Sequence, residues 1–192
     1  MRAGEGLPPE ADEAVLMAAV AAGDRPAYAV LVARYLREVV RLAQSIVGNP
    51  ADADDIAQEA FLRVWKHAGR WDRRKAGVRT WLHRIVMHLA IDKMRAARPA
   101  ASAEGIELEA DSLTAFESLC ARDRARALDR ALSLLPPRQR AALALFYFSG
   151  LPAGQAAQAL SLKVNAFEAL LVRARRALLQ KLQCLGYRRE HL

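Results

Sequence analysis

Between residues 70 and 98 the chain reads Arg70-Trp71-Asp72-Arg73-Arg74-Lys75, then Arg79-Thr80-Trp81-Leu82-His83-Arg84-Ile85, then His88, Asp92, Lys93, Arg95 and Arg98. Cations interleaved with aromatic rings suit a single nucleic-acid strand, because phosphates meet the cations while bases stack on the rings. This is the chemistry of binding, without bond making. A tryptophan within a helix can equally be core, and Trp81 is open to that role.

A second constellation lies just before it: Asp54-Asp55-Ile56-Ala57-Gln58-Glu59-Ala60-Phe61-Leu62-Arg63-Val64-Trp65. Acids and large apolar groups alternate here at spacings that cannot all face one core. On a helix, Ile56, Phe61, Val64 and Trp65 can pack inward. Asp55, Gln58, Glu59 and Leu62 then share another surface, one suited to a protein partner. A solvated acidic helix face is the plainer alternative.

The third constellation is a helix-turn-helix pattern near the C-terminus. Gln155, Ala156, Ala157 and Leu160 make a small-residue face, Ser161-Leu162-Lys163 a turn, and Val164 opens a second helix. Ala157 is small where two helices must cross closely, and Leu160, Leu162, Phe167 and Leu171 fill the core between them. Such a unit aims the start of its second helix at the major groove. Arg173, Arg175 and Arg176, further along, can reach phosphates. An ordinary helical hairpin with a basic surface is the alternative.

Other chemistries find little footing. No Gly-rich phosphate loop occurs, and His67, His83, His88 and His191 lack metal-ligand spacing with carboxylates or thiols. His83 and His88 are five residues apart and point to different helix faces. Cys120 and Cys184 are far apart, with no CxxC or Cys/His pairing, which implies a reducing compartment and no zinc. No enzymatic activity, cofactor or metal is expected. The acidic, proline-bearing start does not resemble a signal peptide, and no stretch reaches the roughly 18 apolar residues of a membrane span. A cytoplasmic location without membrane insertion is expected.

The elements that must position these groups are helical. Residues 11–22 are Ala-rich and stop at Gly23-Asp24. From Pro26 to about Val47 the apolar residues Tyr28, Leu31, Val32, Tyr35, Val39, Leu42 and Ile46 recur at three- and four-residue steps. Gly48-Asn49-Pro50 breaks that helix. A third helix covers Asp52 to about His67, with Asp52, Asp54 and Asp55 in its first turn, where the macrodipole favours acids. The polar loop 69–77 follows, then a fourth helix from about Thr80 to Ala97. These four helices make a credible core of their own. Beyond the connector, helices are expected to about Leu135, over Arg138 to Phe148, over Ala153 to Leu160 and from Val164 to about Leu182. The architecture is all-α: two small helical domains, 10–98 and 120–184, joined by an acidic linker at 99–119.

Charge follows the same division. The 192-residue chain carries 29 Lys and Arg against 21 Asp and Glu, a balance that favours an anionic partner. Residues 23–98 hold fifteen bases and eight acids, and 120–192 hold thirteen and four. Between them, 99–119 hold five acids and no base. Two basic blocks flank an acidic, aromatic-poor connector, as in two nucleic-acid-binding modules joined by a linker.

Taken in order, DADDIAQEAFLRVW, RTWLHRIVMHLAIDKMR and LPPRQRAALALFYFSGLPAGQAAQALSLKVNAFEALLVRARRAL resemble the extracytoplasmic-function (ECF) sigma factors over residues 10–183. Each block alone is moderately specific, and three in this order around an acidic linker are strongly so. The resemblance implies a subunit that directs core RNA polymerase to specific promoters, responds to stress or another signal, and is held by an anti-sigma factor. It implies that Asp54, Asp55, Gln58, Glu59, Leu62 and Trp65 grip core polymerase. It assigns melting and capture of the −10 element of promoter DNA to Trp71, Arg73, Arg74, Lys75, Arg79, Trp81, Arg84, His88, Arg95 and Arg98. For the −35 element it points to Lys163, Asn165, Glu168, Ala169, Val172, Arg173, Arg175 and Arg176. The acidic linker corresponds to the segment that threads toward the RNA exit path.

Four positions depart from the family's usual pattern. His88 stands where Asn is frequent, and Ser161 replaces the common turn Gly. Gly154 sits early in a helix, where it costs up to about 1 kcal/mol against Ala. Glu168 takes a base-reading place that is often basic, and a carboxylate there accepts from cytosine rather than donating to guanine. A regulator that uses only the helix-turn-helix remains the rival reading, although it leaves the acidic helix and the Trp/Arg loop without a role.

Overall fold

The computed structural model describes residues 11–96 and 115–187, and every regular element within them is helical. Helices α1 (Glu13–Ala21), α2 (Arg25–Val47), α3 (Pro50–His67) and α4 (Val78–Ala96) form the first module. Helices α5 (Ala115–Ser133), α6 (Pro137–Leu143), α7 (Ala153–Ala159) and α8 (Val164–Cys184) form the second. Arg98 and the acidic stretch to residue 114 lie outside the described residues.

Local chemistry fixes the helix ends of the first module. Asp24 caps α2, its carboxylate accepting from the Ala27 amide at 3.0 Å, and Pro26 occupies the first turn. Gly48 closes α2 at φ +80°, a left-handed conformation that favours glycine. One residue later Asn49 caps α3 by accepting from the Asp52 amide, and Pro50 begins the helix. The Gly48-Asn49-Pro50 break is therefore a C-cap joined directly to an N-cap. The expected stripe of α2 is largely realised: Leu31, Tyr35, Val39, Leu42 and Ile46 are buried, with Tyr28 and Val32 half-buried.

In the second module the expected single helix over 138–148 is two structures. After Leu143 the chain widens into a π-helical turn, Ala144–Phe148, closed by the Ser149 amide donating to the Ala144 carbonyl at 3.0 Å. The extra residue in this turn alters which side chains point inward. Leu145 is fully buried while Tyr147 and Phe148 stand more than half exposed.

The helix-turn-helix takes the expected form, except that Leu162 is only half-buried and Gln155, expected on the small-residue face, is exposed. Ala156, Ala157, Leu160, Phe167 and Leu171 are buried between α7 and α8. At the turn the Ser161 amide donates to Gln158 O (3.0 Å) and the Leu162 amide to Ala157 O (2.8 Å). This pair of bonds is the Schellman closure, whose pivotal residue adopts left-handed backbone. Here that residue is Ser161, at φ +55°.

The two modules are packed together rather than held apart. Helix α7 lies on α4, α6 on α2 and α4, and the π-helical turn on α2. One continuous apolar core runs from Leu16 to Ala174. Beside this junction Arg79 Nε donates to Glu38 Oε1 at 2.6 Å, and His83 Nε2 donates to the same oxygen at 3.0 Å. Burial opposes ionisation of Glu38, but the hydrogen bonds from His83 and Arg79 outweigh it and hold the carboxyl below its ordinary 4.5.

Two expected outcomes follow from these local geometries. A side chain in left-handed backbone costs roughly 1–2 kcal/mol, part of which glycine returns as unfolded-chain entropy. Ser161→Gly should thus stabilise the chain by up to about 1 kcal/mol in urea melts, and a destabilised variant contradicts this account of the turn. For Glu38, a depressed carboxyl contributes stability that is complete above 4.5 and lost as pH falls through the folded-state value. Glu38→Gln should lower stability at pH 7 by roughly 1–3 kcal/mol, the scale of charged hydrogen bonds, and flatten the acid limb below about pH 4.5. Parallel Tm-against-pH curves for parent and variant would contradict this.

Candidate nucleic-acid interface

Helix α3 divides its residues as the spacing predicts. Ala53, Ile56, Ala57, Ala60, Phe61 and Val64 are buried, and Asp54, Asp55, Gln58 and Leu62 are exposed. Leu62 keeps 48% of its surface in solvent, an apolar group framed by polar neighbours. Glu59 is partly covered and pairs with Arg63 one turn on, at 2.8 Å. Lys93 Nζ of α4 reaches Asp52 (2.7 Å) and Asp55 (3.0 Å), tying the acidic strip to the neighbouring helix. Trp65 stands partly apart from the strip: it is half-buried, its ring edge-on to Tyr28 at 5.0 Å between centroids.

The loop between α3 and α4 is built by its own side chains. Trp71 Nε1 donates to the Ala76 carbonyl at 3.0 Å, bridging the loop across its base. Asp72 accepts from the amide, Nε and Nη2 of Arg74, all at 3.0–3.1 Å. Those bonds hold the Asp72 carboxyl below the usual carboxylate range. Arg73, Arg74 and Lys75 project from this scaffold and are exposed, with Arg73 near Asp12 at 3.6 Å.

On α4, Arg84, His88 and Arg95 lie on the exposed side, while Trp81 is half-buried and His83 fully buried. His83 and His88 thus do face different ways. Partial desolvation, then the nearby Arg84 guanidinium, push the His88 imidazole below its ordinary value, so it is neutral at pH 7. His88 can therefore donate and accept one hydrogen bond each, as a side-chain amide does. Arg79 is engaged within the protein, by Glu38 and by the Ser149 carbonyl at 2.7 Å.

Helix α8 presents its start to solvent. Lys163, Val164, Asn165, Glu168, Ala169, Val172, Arg173 and Arg176 are exposed around the fully buried Phe167. Glu168 therefore projects outward one residue after a core anchor. Arg175 has a different environment: its guanidinium lies 5.6 Å from the Phe146 ring centroid and 5.3 Å from that of Tyr147. It borders an apolar cavity of about 390 Å³ that Leu128, Leu132, Leu143, Phe148 and Leu178 also line.

Sequence reasoning missed this cavity, although Phe146-Tyr147-Phe148 was a visible signal: three consecutive aromatics cannot all face one core. It also missed Arg140, which is buried between the modules. Cys184 is a free, exposed thiol. No described helix is long and apolar enough to cross a membrane.

Comparison with known proteins falls on the same two modules. The family model for Sigma-70 region 2 matches residues 31–99, and that for Sigma-70 region 4 matches residues 125–178. The ECF RNA polymerase sigma factor SigM of Mycobacterium tuberculosis is 36% identical over 180 residues, covering 93% of this chain and 87% of that protein. SigW of Bacillus subtilis, also an ECF RNA polymerase sigma factor, is 29% identical, with 85% and 92% covered. Among solved structures, CnrH in complex with the cytosolic domain of CnrY superposes with TM-score 0.67 at 26% identity, covering 90% of this chain and 97% of that one. The sigma factor RpoE of Bartonella quintana, solved with the anti-sigma factor NepR, shares the fold at TM-score 0.59 and 18% identity, with 81% and 96% covered. With both regions matched and close relatives aligned over nearly the whole chain, the protein belongs to the ECF sigma factors of the sigma-70 family, subunits that bring core RNA polymerase to promoter DNA and initiate transcription.

Proposed function

We propose that three surfaces divide the work of this sigma factor. The exposed strip of α3, with Asp54, Asp55, Gln58, Glu59 and Leu62, docks on core polymerase, and Trp65 braces it from behind. The 71–78 loop and the exposed side of α4 open and hold the −10 strand. The start of α8, Lys163 to Arg176, reads the −35 element. Residues 10–98 then act as one functional domain, 120–184 as the other, and the acidic 99–119 stretch as the tether between them. The chain contributes binding and strand opening, and bond making belongs to the polymerase. A protein that works on core polymerase and promoter DNA acts in the cytoplasm.

The observation that carries this reading is the split of α3. Its acids and Leu62 take no part in the buried stripe, and the exposed ion pairs that Asp55 and Glu59 make with Lys93 and Arg63, each worth less than about 1 kcal/mol, are a weak reason to place them there. An apolar group ringed by carboxylates and an amide is the composition of a partner surface. Regulation by an anti-sigma factor, in response to stress or another signal, is inferred from likeness: CnrH is bound by CnrY, and RpoE by NepR.

Asp55→Ala, Gln58→Ala and Glu59→Ala combined should weaken association with core polymerase by one to two orders of magnitude while leaving the helical signal intact. Rim-type polar contacts are each worth about 1 kcal/mol in such interfaces. Normal core binding by the triple variant would remove this surface from the mechanism.

Base reading is tested on α8. Glu168 can accept from a cytosine amino group, while close to phosphate its charge repels. Glu168→Ala holoenzyme should select a relaxed −35 sequence from a promoter library and hold DNA slightly more tightly. Arg173→Ala should lose about 1–3 kcal/mol if it pairs with guanine. Identical selected sequences for parent and Glu168→Ala would show that Glu168 is only a surface residue, whose ion pairs are worth less than about 1 kcal/mol.

A further inference from the structure

The loop that joins α3 to α4 turns its backbone amides inward. The Lys75 and Ala76 amides donate to the Asp72 carbonyl at 2.9 and 3.2 Å, and the Arg74 amide donates to the Asp72 carboxylate at 3.0 Å. Three successive amides are thus engaged with one residue and form no nest for a phosphate. The Ala76 carbonyl accepts from Trp71 Nε1 at 3.0 Å, and the Trp71 amide donates to Ala68 O at 3.1 Å. What this loop can offer a nucleic-acid strand is therefore side chains.

Those side chains fall into two groups. Arg74 is clamped to the Asp72 carboxylate through Nε and Nη2, both at 3.1 Å. Trp71 packs half-buried against the core, with its one side-chain donor engaged. Held at both its ring nitrogen and its amide, this indole cannot swing toward a base without breaking the bond to Ala76. Arg73 and Lys75, by contrast, are exposed. Arg73 meets Asp12 only at 3.6 Å, with both side chains more than half in solvent.

We propose that Trp71 is a positioning residue rather than a base platform: its N–H bridge to Ala76 fixes the loop in the shape that aims Arg73 and Lys75 at the −10 strand. Residues 71–76 then enter capture already ordered, and a loop ordered beforehand loses little further conformational freedom on binding. Asp72 braces the same ring from inside, where it gathers the three amides. The inference deepens the assignment of the 71–78 loop to the −10 strand and rests on it.

The test uses holoenzyme assembled from core polymerase and the full chain carrying hydroxytryptophan, which absorbs where ordinary tryptophan does not. Subtracting the signal of a Trp71→Phe chain leaves the emission of residue 71. On a promoter fork with an unpaired −10 strand that emission should hold steady, whereas a base stacked on the ring would quench it. Trp71→Phe keeps a ring but not the donor, so promoter opening followed by permanganate should slow about fivefold, the scale of one neutral hydrogen bond. Arg73→Ala with Lys75→Ala should slow opening too, and in the combined variant the losses should not add, because the bridge acts through those cations. Quenched emission, parent-rate opening by Trp71→Phe or additive losses each overturn the positioning role. Normal opening by the Arg73→Ala, Lys75→Ala pair instead removes the loop from the −10 reading itself. Should Trp71→Phe lose its helical circular-dichroism signal, benzothienylalanine at position 71 replaces it, a side chain that keeps the bicyclic ring and lacks only the N–H.

Discussion

Burial of the α2 stripe is the interaction on which the remaining structure depends. Leu31, Val39 and Ile46 have no measurable exposure, and Tyr35 and Leu42 very little. At 1.5 Å per residue the 23-residue helix spans about 35 Å. Along that length it is packed by α1, α3, α4, α6 and the π-helical turn. Its two ends are held differently. Asp24 secures the first turn from within the helix, whereas the last turn depends on Gly48 and on a cation from α6. A change along this stripe would be felt in both modules at once.

Around that axis each helix is used on two sides. Helix α3 buries Ile56, Phe61 and Val64 against the core and leaves carboxylates and Leu62 outside. Helix α8 buries Phe167, Leu171 and Ala174 and leaves the row of Glu168, Val172 and Arg173 exposed. The π-helical turn serves both tasks within five residues, since it buries Leu145 and exposes Tyr147 and Phe148. In this molecule binding surfaces are the residue of the packing problem: whatever the core does not take is aligned along one face by helical periodicity.

Most of this was legible in the sequence for a physical reason. Three- and four-residue apolar spacing and Gly48-Asn49-Pro50 are local signals, and the helices of the first module follow them, although α3 begins at Pro50 rather than Asp52, so only Asp52 of the three expected acids lies in its first turn. The split of α3 and the outward placement of Glu168 followed from the same periodicity. What was not legible is non-local. Residues 144–148 carry no local mark of a π-helical turn, because its register answers to neighbours that the linear pattern does not reveal. Arg140 sits in a basic Arg138-Gln139-Arg140 run that reads as surface, and only the approach of α2 turns it into a buried group. The contact of α4 with α7 joins residues some seventy positions apart, and the two modules looked like separate bodies. The rival reading, a regulator using the helix-turn-helix alone, gives way to a match that covers both modules.

The stacking of Arg175 over Phe146 and Tyr147 bears on how the recognition helix feels its ionic surroundings. A row of three arginines on one helix suggests three phosphates neutralised when it docks. A guanidinium seated over neutral aromatic faces keeps its full charge, but the stacking holds it beside Phe146 and Tyr147, so meeting a phosphate would require it to leave the rings. On the proposed reading of α8, Arg173 and Arg176, with Lys163 at the helix start, are the cations that can meet phosphate without giving up a contact of this kind. If Arg175 stays stacked when α8 docks, attachment through this module responds less steeply to salt than three free arginines would.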